Sequence, residues 1–315
     1  MSEAGAPSVL LAVATYRRPD DLAELLPLLL EVISGQPDAR MLVVDNDPAA
    51  GARDAVEAIA SASVGYVHEP EPGIAAARNR ALDEAGDVDL LVFIDDDERP
   101  TPGWLESMVD TWQQSQPAAV AGPVVSELAG SVDAWTAAGR FFQRNRHPSG
   151  TVVGLAATNN LLLHLPVVRA AGIRFDADFG LSGGSDTLFT RQLVRSGGRI
   201  VWCDEAVLVD RVPAARMTRD WVLSKAFRIG NTHSRVELLL AGGPIRRMVV
   251  RLRCYAAGTV RVLAGAGRSA VGLATRNLAH RARGRRMIAR GAGMVAGAAG
   301  HIYLEYRRPT LPGDR

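Results

Sequence analysis

Leu90-Leu91-Val92-Phe93-Ile94-Asp95-Asp96-Asp97-Glu98 is an apolar run of strand length that ends abruptly in four acids. The run has no polar face, so it predicts a strand buried on both sides. Three earlier segments share the form: Val9 to Ala14, Met41 to Val44 and Gly65 to His68. Helical patterns over Asp20 to Ile33, Ala52 to Ala60 and Gly73 to Ala85 separate them. Doubly buried strands that alternate with helices predict an α/β fold with a mostly parallel sheet flanked by helices. Ligands of such sheets bind at the carboxyl ends of the strands. Polar residues collect at those ends: Thr15-Tyr16-Arg17, Asp45-Asn46-Asp47, Glu69-Pro70-Glu71 and the acidic run itself. Four polar tips in series mark one edge of the sheet as a working face.

Beyond that edge the pattern is less regular. Thr151 to Ala157 reads as a strand ended by Thr158-Asn159-Asn160, and Gly180 to Gly184 as a loop opening a helix over Ser185 to Arg195. Arg199 to Trp202 and Ala206 to Val209 read as short strands, and Thr218 to Leu240 as a long helix. After Gly242-Gly243-Pro244, basic amphipathic helices are expected. The division expected is a catalytic domain over 1–244 and a basic helical region over 245–315.

Charge supports that division. Of 36 Lys and Arg, 15 lie from Ile245 onward, against 2 of the 34 acids. A body of about −11 therefore precedes a tail of about +13, which suggests a separate partner for the tail. The two cysteines, Cys203 and Cys254, are far apart and suggest neither a disulfide framework nor a zinc knuckle. Met1 to Ser8 lacks the basic start of a signal peptide, and arginines interrupt every long apolar stretch. A reducing, cytoplasmic setting is the expectation.

An apolar strand that delivers three carboxylates to one point suits a hard divalent cation. Mg²⁺ commonly takes one or two carboxylates and completes its shell from substrate phosphates. A solvated acidic turn is the alternative for this run alone. Other chemistries find less support. No GxGxxG or Walker lysine occurs, and the six histidines show no metal-ligand spacing. Thr15-Tyr16-Arg17-Arg18-Pro19 is not the Gly- and Lys/Arg-rich loop of a nucleotidyltransferase.

Thr15-Tyr16-Arg17-Arg18, Val43-Val44-Asp45-Asn46, Gly73-Ile74-Ala75-Ala76-Ala77-Arg78-Asn79 and Phe93-Ile94-Asp95-Asp96-Asp97 resemble the family 2 glycosyltransferases in order and spacing. Gly183-Gly184-Ser185-Asp186 is similar to that family's acceptor-side Gly-Gly-Glu-Asp loop. The resemblance spans roughly residues 8–235. It implies the GT-A fold, a nucleoside diphosphate sugar donor, a hydroxyl acceptor, a divalent cation (Mg²⁺ or Mn²⁺) and transfer with inversion. Thr15, Tyr16, Asp45 and Arg78 match positions that hold base and ribose, and Arg17 and Asp96 join this donor set. Asp95 and Asp97 match the outer residues of the DxD motif, the first toward the sugar or ribose and the second toward the metal. Asp186 matches the catalytic base, with Gly183, Gly184 and Asn159 on the acceptor side.

The chemistry agrees with those roles. Breaking a sugar–phosphate bond places charge on the departing diphosphate, which a metal neutralises. The acceptor hydroxyl needs a proton acceptor on the other face, and a free Asp is ionised at neutral pH. Two departures stand out: Ser185 replaces the usual Glu, and Asp210 stands where the family usually has a metal-binding His. Asp210 would supply a harder ligand in its place. The Ser185 departure leaves a non-catalytic sugar-nucleotide-binding protein as the alternative, beside a transferase with a small-molecule acceptor. In the tail, arginines alternate with Val, Leu, Ala and Met, a pattern suited to an anionic membrane surface. No aromatic interleaving or nucleic-acid motif accompanies them, so a nucleic-acid partner is not expected. The setting implied is the inner face of a cell membrane, with a lipid-linked or cell-envelope glycan as acceptor.

Overall fold

A computed structural model describes residues 6–304. The chain forms two compact units. The first holds the described residues up to Glu127, then Arg144–Gly180 and Ser185–Arg211. The second holds Leu128–Gln143, Leu181–Gly184 and the described residues from Val212 on.

The first unit begins as the sequence predicts. β1 (Val9–Thr15), α1 (Pro19–Ser34), β2 (Ala39–Asp45), α2 (Arg53–Glu57), β3 (Val64–His68), α3 (Ile74–Glu84) and β4 (Leu90–Asp95) follow in turn. Then come β5 (Glu98–Pro100), α4 (Trp104–Ser115), β6 (Ala119–Ala121) and β7 (Val124–Leu128). After α5 (Ala134–Gly139) of the second unit, the first resumes with β8 (Val152–Val153), β9 (Asn160–His164), α6 (Leu165–Ala170), α7 (Ser185–Arg195), β10 (Ile200–Trp202) and β11 (Leu208–Val212). The main sheet runs β3-β2-β1-β4-β9-β6-β10-β8. β3, β2, β1 and β4 are parallel, and β9 is antiparallel to both β4 and β6. A second sheet runs β5-β11-β7.

Alternation along the parallel strands separates two cores. Val9, Leu11 and Val13 of β1 and Leu90, Val92 and Ile94 of β4 face one side, with Leu22, Leu25 and Leu29 of α1 and Trp104 of α4. Leu10, Ala12, Leu91 and Phe93 face the other, with Ala75, Ala77 and Ala81 of α3 and Phe189 of α7. Each fully buried leucine contributes about 2 kcal/mol of transfer free energy.

Two sequence expectations are corrected. The strand expected over Thr151 to Ala157 shrinks to Val152–Val153, and the sheet strand starts at Asn160, where a strand end was expected. Leu161, Leu162 and Leu163 are fully buried between β4 and β6, which decides the outcome. The strand expected at Ala206 to Val209 runs instead over Leu208–Val212, where it pairs with β5.

The second unit is built on α8 (Arg219–Leu240), α9 (Pro244–Ala274) and α10 (Leu278–Ala298). The 244/245 boundary read from charge falls after the first residue of α9, inside this unit. Glycines let the helices meet backbone to backbone. A Cβ on Gly265 would approach the Gly284 carbonyl oxygen to 2.7 Å, and one on Gly297 the Asn231 carbonyl oxygen to 2.5 Å. α10 is consequently a packed helix rather than a surface amphipath. Gly284, Gly291, Gly293, Met294 and Gly297 are buried, and burial pushes the Arg286 and Arg290 guanidinium pKa values down.

Candidate active site

The first unit reverses strand order between β1 and β4: β2 and β3 lie on one side of β1, and β4 on the other. In an open α/β sheet that switch point is where a crevice forms. Ala14 and Asp95 are register partners there, so Thr15 and the acidic turn come from adjacent strand tips. The Thr15 hydroxyl, 3% exposed, donates to Asp96 Oδ2 at 2.8 Å. Arg18 reaches across the same point. Its Nη1 donates to Asp96 Oδ1 and to Asp97 Oδ2, both at 2.7 Å. Burial works against the Arg18 charge, yet Asp96 and Asp97 outweigh it and raise its pKa.

The acids at this tip are crowded. Burial is the first cause of a rise in the Asp96 pKa to about 6, which Arg18 opposes and Asp97 reinforces. The Asp95 pKa is also raised, by desolvation first; Arg78 opposes that rise, and Asp97 and Asp186 add to it. Part of the Asp95 side chain reaches solvent, but its inner side lies deep among protein atoms, where lost hydration dominates. Glu98, 1% exposed, has a pKa raised well above the usual carboxylate range by burial and by Asp95. It accepts hydrogen bonds from Asn159 Nδ2 and from the Asp95 backbone N–H.

α3 supplies the next residue. Gly73 has φ +119°, and a Cβ there would come within 3.1 Å of the Gly180 backbone, so glycine is required where this helix starts. Five residues on, Arg78 is 7% exposed and turned inward. Its Nη2 lies 3.5 Å from Asp95 Oδ1, its Nη1 lies 3.5 Å from Ser185 Oγ, and its guanidinium stands over the Phe175 ring. Arg78 therefore bridges the β4 tip and the start of α7. Asp186 follows Ser185 in the first turn of α7, where the helix dipole favours an acid. Asp186 Oδ1 accepts from the Thr187 backbone N–H at 2.6 Å.

The remaining candidates fall into four groups. Asp45 is 1% exposed, and both its oxygens serve its own loop: Oδ1 accepts from Asp47 N–H, and Oδ2 from Ala52 N–H and the Tyr66 hydroxyl. Asn46, which sequence reasoning left without a role, staples that loop to α3 by donating to the Glu69 and Glu71 carbonyls and accepting from Gly73 N–H. Its place beside Asp45 in the Val43-Val44-Asp45-Asn46 motif was the signal. Tyr16 is half-buried, and Arg17, exposed with φ 55°, stands over the Tyr16 ring and pairs with Asp47 at 3.2 Å. Asp210 lies on β11 directly opposite Glu98, with Arg211 N–H donating to the Asp97 carbonyl, so the small sheet brings it beside the acidic turn. Its carboxylate pairs with Arg144 at 2.5 Å. Gly183 and Gly184 belong to the second unit, with φ +72° and +100°; the Thr232 hydroxyl donates to the Gly183 carbonyl.

This oxygen-rich tip fits a divalent cation. The donors are carboxylates, and a cationic group, the Arg18 guanidinium, already spans two of them. Among the described residues no three His, Cys, Asp or Glu side chains close around a point as a protein-only cage. A cation at Asp97 would complete its shell from phosphate oxygens.

The sheet order, the acidic turn at the switch point and the flanking helices define a GT-A glycosyltransferase fold. Two solved structures share it. GalNAc-T7 with UDP, GalNAc and Mn²⁺ aligns at TM-score 0.57 and 11% identity over 82% of this chain and 51% of that one. The mannosyltransferase PcManGT of Pyrobaculum calidifontis, in complex with GDP-Man and Mn²⁺, aligns at TM-score 0.57 and 18% identity over 93% and 87%. The profile of glycosyl transferase family 2 matches residues 11–171. The succinoglycan biosynthesis protein ExoM of Rhizobium meliloti is 34% identical over 230 residues, covering 72% of this chain and 74% of that one. The pre-mycofactocin glycosyltransferase of Mycobacterium tuberculosis is 28% identical over 204 residues, 61% of this chain and 41% of that one. The chain belongs to glycosyl transferase family 2.

Proposed function

We propose that the first unit transfers a sugar from a nucleoside diphosphate to a hydroxyl acceptor, with inversion at the anomeric carbon. The observation that carries this reading is the convergence of Thr15, Arg78, Asp95, Asp96, Asp97 and Asp186 around one switch point, with Asp186 close enough to raise the Asp95 pKa. Asp186 accepts the proton of the acceptor hydroxyl as that oxygen attacks the anomeric carbon. The bond from that carbon to the diphosphate oxygen breaks on the opposite face, so one displacement inverts the centre. Asp97 and Asp210 are the ligands assigned to Mg²⁺ or Mn²⁺, which when bound neutralises charge on the departing diphosphate. Asp95 and Arg78 orient the donor sugar and ribose, and Thr15 fixes Asp96 behind them. Tyr16 and Arg17 are assigned to the base, and Asp45 shapes that pocket from within. Gly183, Gly184 and Asn159 are assigned to the acceptor side.

The relatives support a choice of substrates. UDP and GDP-Man in the two structural neighbours support a nucleoside diphosphate donor, and the succinoglycan protein supports a cell-envelope or exported glycan acceptor. The reaction is placed on the cytoplasmic side, where nucleotide sugars are available.

The test is a panel of UDP, GDP and dTDP sugars with Mn²⁺, read by thermal shift and by release of nucleoside diphosphate. At saturating donor the matching nucleotide sugar raises Tm by roughly 5–10 °C. Failure of every donor to shift Tm rejects the donor site. Binding without release, with hydroxyl acceptors present, identifies a non-catalytic sugar-nucleotide-binding protein instead.

A further inference from the structure

α9 carries a surface that the reaction proposed above does not use. Its 31 residues contain no acid and several arginines, and at 1.5 Å per residue it is about 46 Å long. One side is committed to α10. Cys254, Gly258, Gly265 and Gly272 are buried, and at 100° per residue they fall within about 40° of one another. A Cβ on Gly258 would approach the Gly291 carbonyl oxygen to 2.9 Å, and one on Gly272 the Arg281 nitrogen to 2.6 Å. The helix is thus held rigidly from that side along most of its length.

The opposite side has no partner among the described residues. Ile245, Met248, Val249, Leu252, Val260 and Leu263 are each 51–80% exposed. They lie within about 60° of one line down the helix. Single exposed apolar residues are ordinary, but a continuous stripe of this length marks an interaction surface. Arg246 and Arg253 follow one edge of the stripe, about 80–100° from its centre, and Arg251 the other, at about 120°.

We propose that α9 docks flat on an anionic lipid surface through this stripe. The flanking charge selects that occupant. A second copy of the chain, stripe to stripe, would set arginine edges against arginine edges, with no acid on either helix to offset them. Anionic headgroups neutralise both edges while the stripe enters the acyl boundary and the arginines reach outward along their apolar stems. Spanning is not an option for this helix: among the described residues none is long and apolar enough to cross a membrane.

The experiment is co-sedimentation of the full chain with vesicles of phosphatidylcholine mixed with phosphatidylglycerol, beside phosphatidylcholine alone. The wild type should bind the mixed vesicles, and salt should weaken the binding. Leu252→Glu combined with Leu263→Glu should lower the partition coefficient at least about tenfold, because charge replaces the centre of the stripe. Both side chains are at least 60% exposed, so circular dichroism should be unchanged. Arg246→Gln with Arg251→Gln and Arg253→Gln should remove most of the preference for anionic vesicles. Wild-type binding to neither vesicle, equal binding to both, or undiminished binding by the leucine variant each overturns the proposal. So does a wild-type dimer that the leucine variant converts to monomer without any effect on vesicle binding. Donor turnover in the same samples should not change, so failure here is separable from failure of the proposed reaction.

Discussion

Removing Arg18 probes how the acidic tip holds its charge. Arg18→Met keeps an unbranched apolar stem and deletes both of the 2.7 Å bonds to Asp96 and Asp97. Hydrogen bonds to charged groups are worth about 1.5–3 kcal/mol each, which alone would predict a loss of roughly 3–6 kcal/mol. Asp96 limits that loss. Its pKa is already about 6, so protonating it at neutral pH costs only about 1.4 kcal/mol. The variant takes that route instead of burying a bare carboxylate. Asp97 is 18% exposed and hydrates in part, adding about 1 kcal/mol. The expected destabilisation at neutral pH is therefore about 2–3 kcal/mol. Its pH dependence follows from the sign of the shift. The folded-state pKa of Asp96 lies above the ordinary 3.8, so protonation favours the folded state. The stability this provides is complete below the ordinary value and lost as pH rises through about 6. Without Arg18 the pKa climbs further. At about pH 5 Asp96 is neutral in both proteins, and the difference should shrink to about 1 kcal/mol. Urea unfolding by circular dichroism at about pH 7 and about pH 5 measures both values. Equal destabilisation at the two pH values, or a loss below about 0.5 kcal/mol at the higher one, refutes the reasoning.

Asp97→Ala should abolish Mn²⁺-dependent donor binding, read by calorimetry, while leaving the unfolding midpoint near wild type; metal-dependent binding that survives removes Asp97 from the cation site. Two glycines of α9 should respond in opposite directions. Gly265→Leu drives a side chain into the Gly284 backbone and should cost at least about 1–3 kcal/mol. Gly267→Ala meets nothing within 4 Å and should stabilise by about 0.5–1 kcal/mol; thermal melts of both decide it. Burial, and then its bond to Asp45, push the Tyr66 pKa up to about 12, so stability from this group is lost as pH rises from about 10 through that value. Asp45→Asn should lower the alkaline transition of one tyrosine in a spectrophotometric titration; an unmoved transition separates Tyr66 from Asp45.

The sheet from β1 to β4 was legible because β1, β4 and the core of β2 are apolar runs and polar tips mark where the strands stop. β9 was not. Asn160 looks like a strand end in sequence, yet it is 2% exposed and opens the strand. Its Oδ1 accepts from Trp104 Nε1, and its Nδ2 donates to the Pro123 and Ala206 carbonyls. Those partners lie 37 to 56 residues away, out of reach of any local pattern. Glu98 was obscured in the same way: an acid after three acids reads as solvated, and only the fold buries it against Asn159. Asp45 was legible as a site residue by position, but its bonds to Asp47, Ala52 and Tyr66 were not. In the tail, charge identified the helices but not their burial. Gly258, Gly265 and Gly272 recur every seven residues, a spacing visible in the sequence whose meaning required α10 opposite them.

The central claim is that Asp186 takes the acceptor's proton, and Asp186→Asn tests it most directly. The substitution keeps the shape at the start of α7 and removes the basic oxygen. A group that acts mainly in the transition state changes turnover more than binding. Steady-state transfer rates beside donor affinity by calorimetry should show kcat lowered by roughly 10²–10⁴-fold with donor Kd nearly unchanged. Transfer at close to the wild-type rate would contradict the assignment and move the search for the base to Asp176 or Asp178. Loss of donor binding would place Asp186 in the nucleotide and metal site, and the displacement proposed here would be wrong.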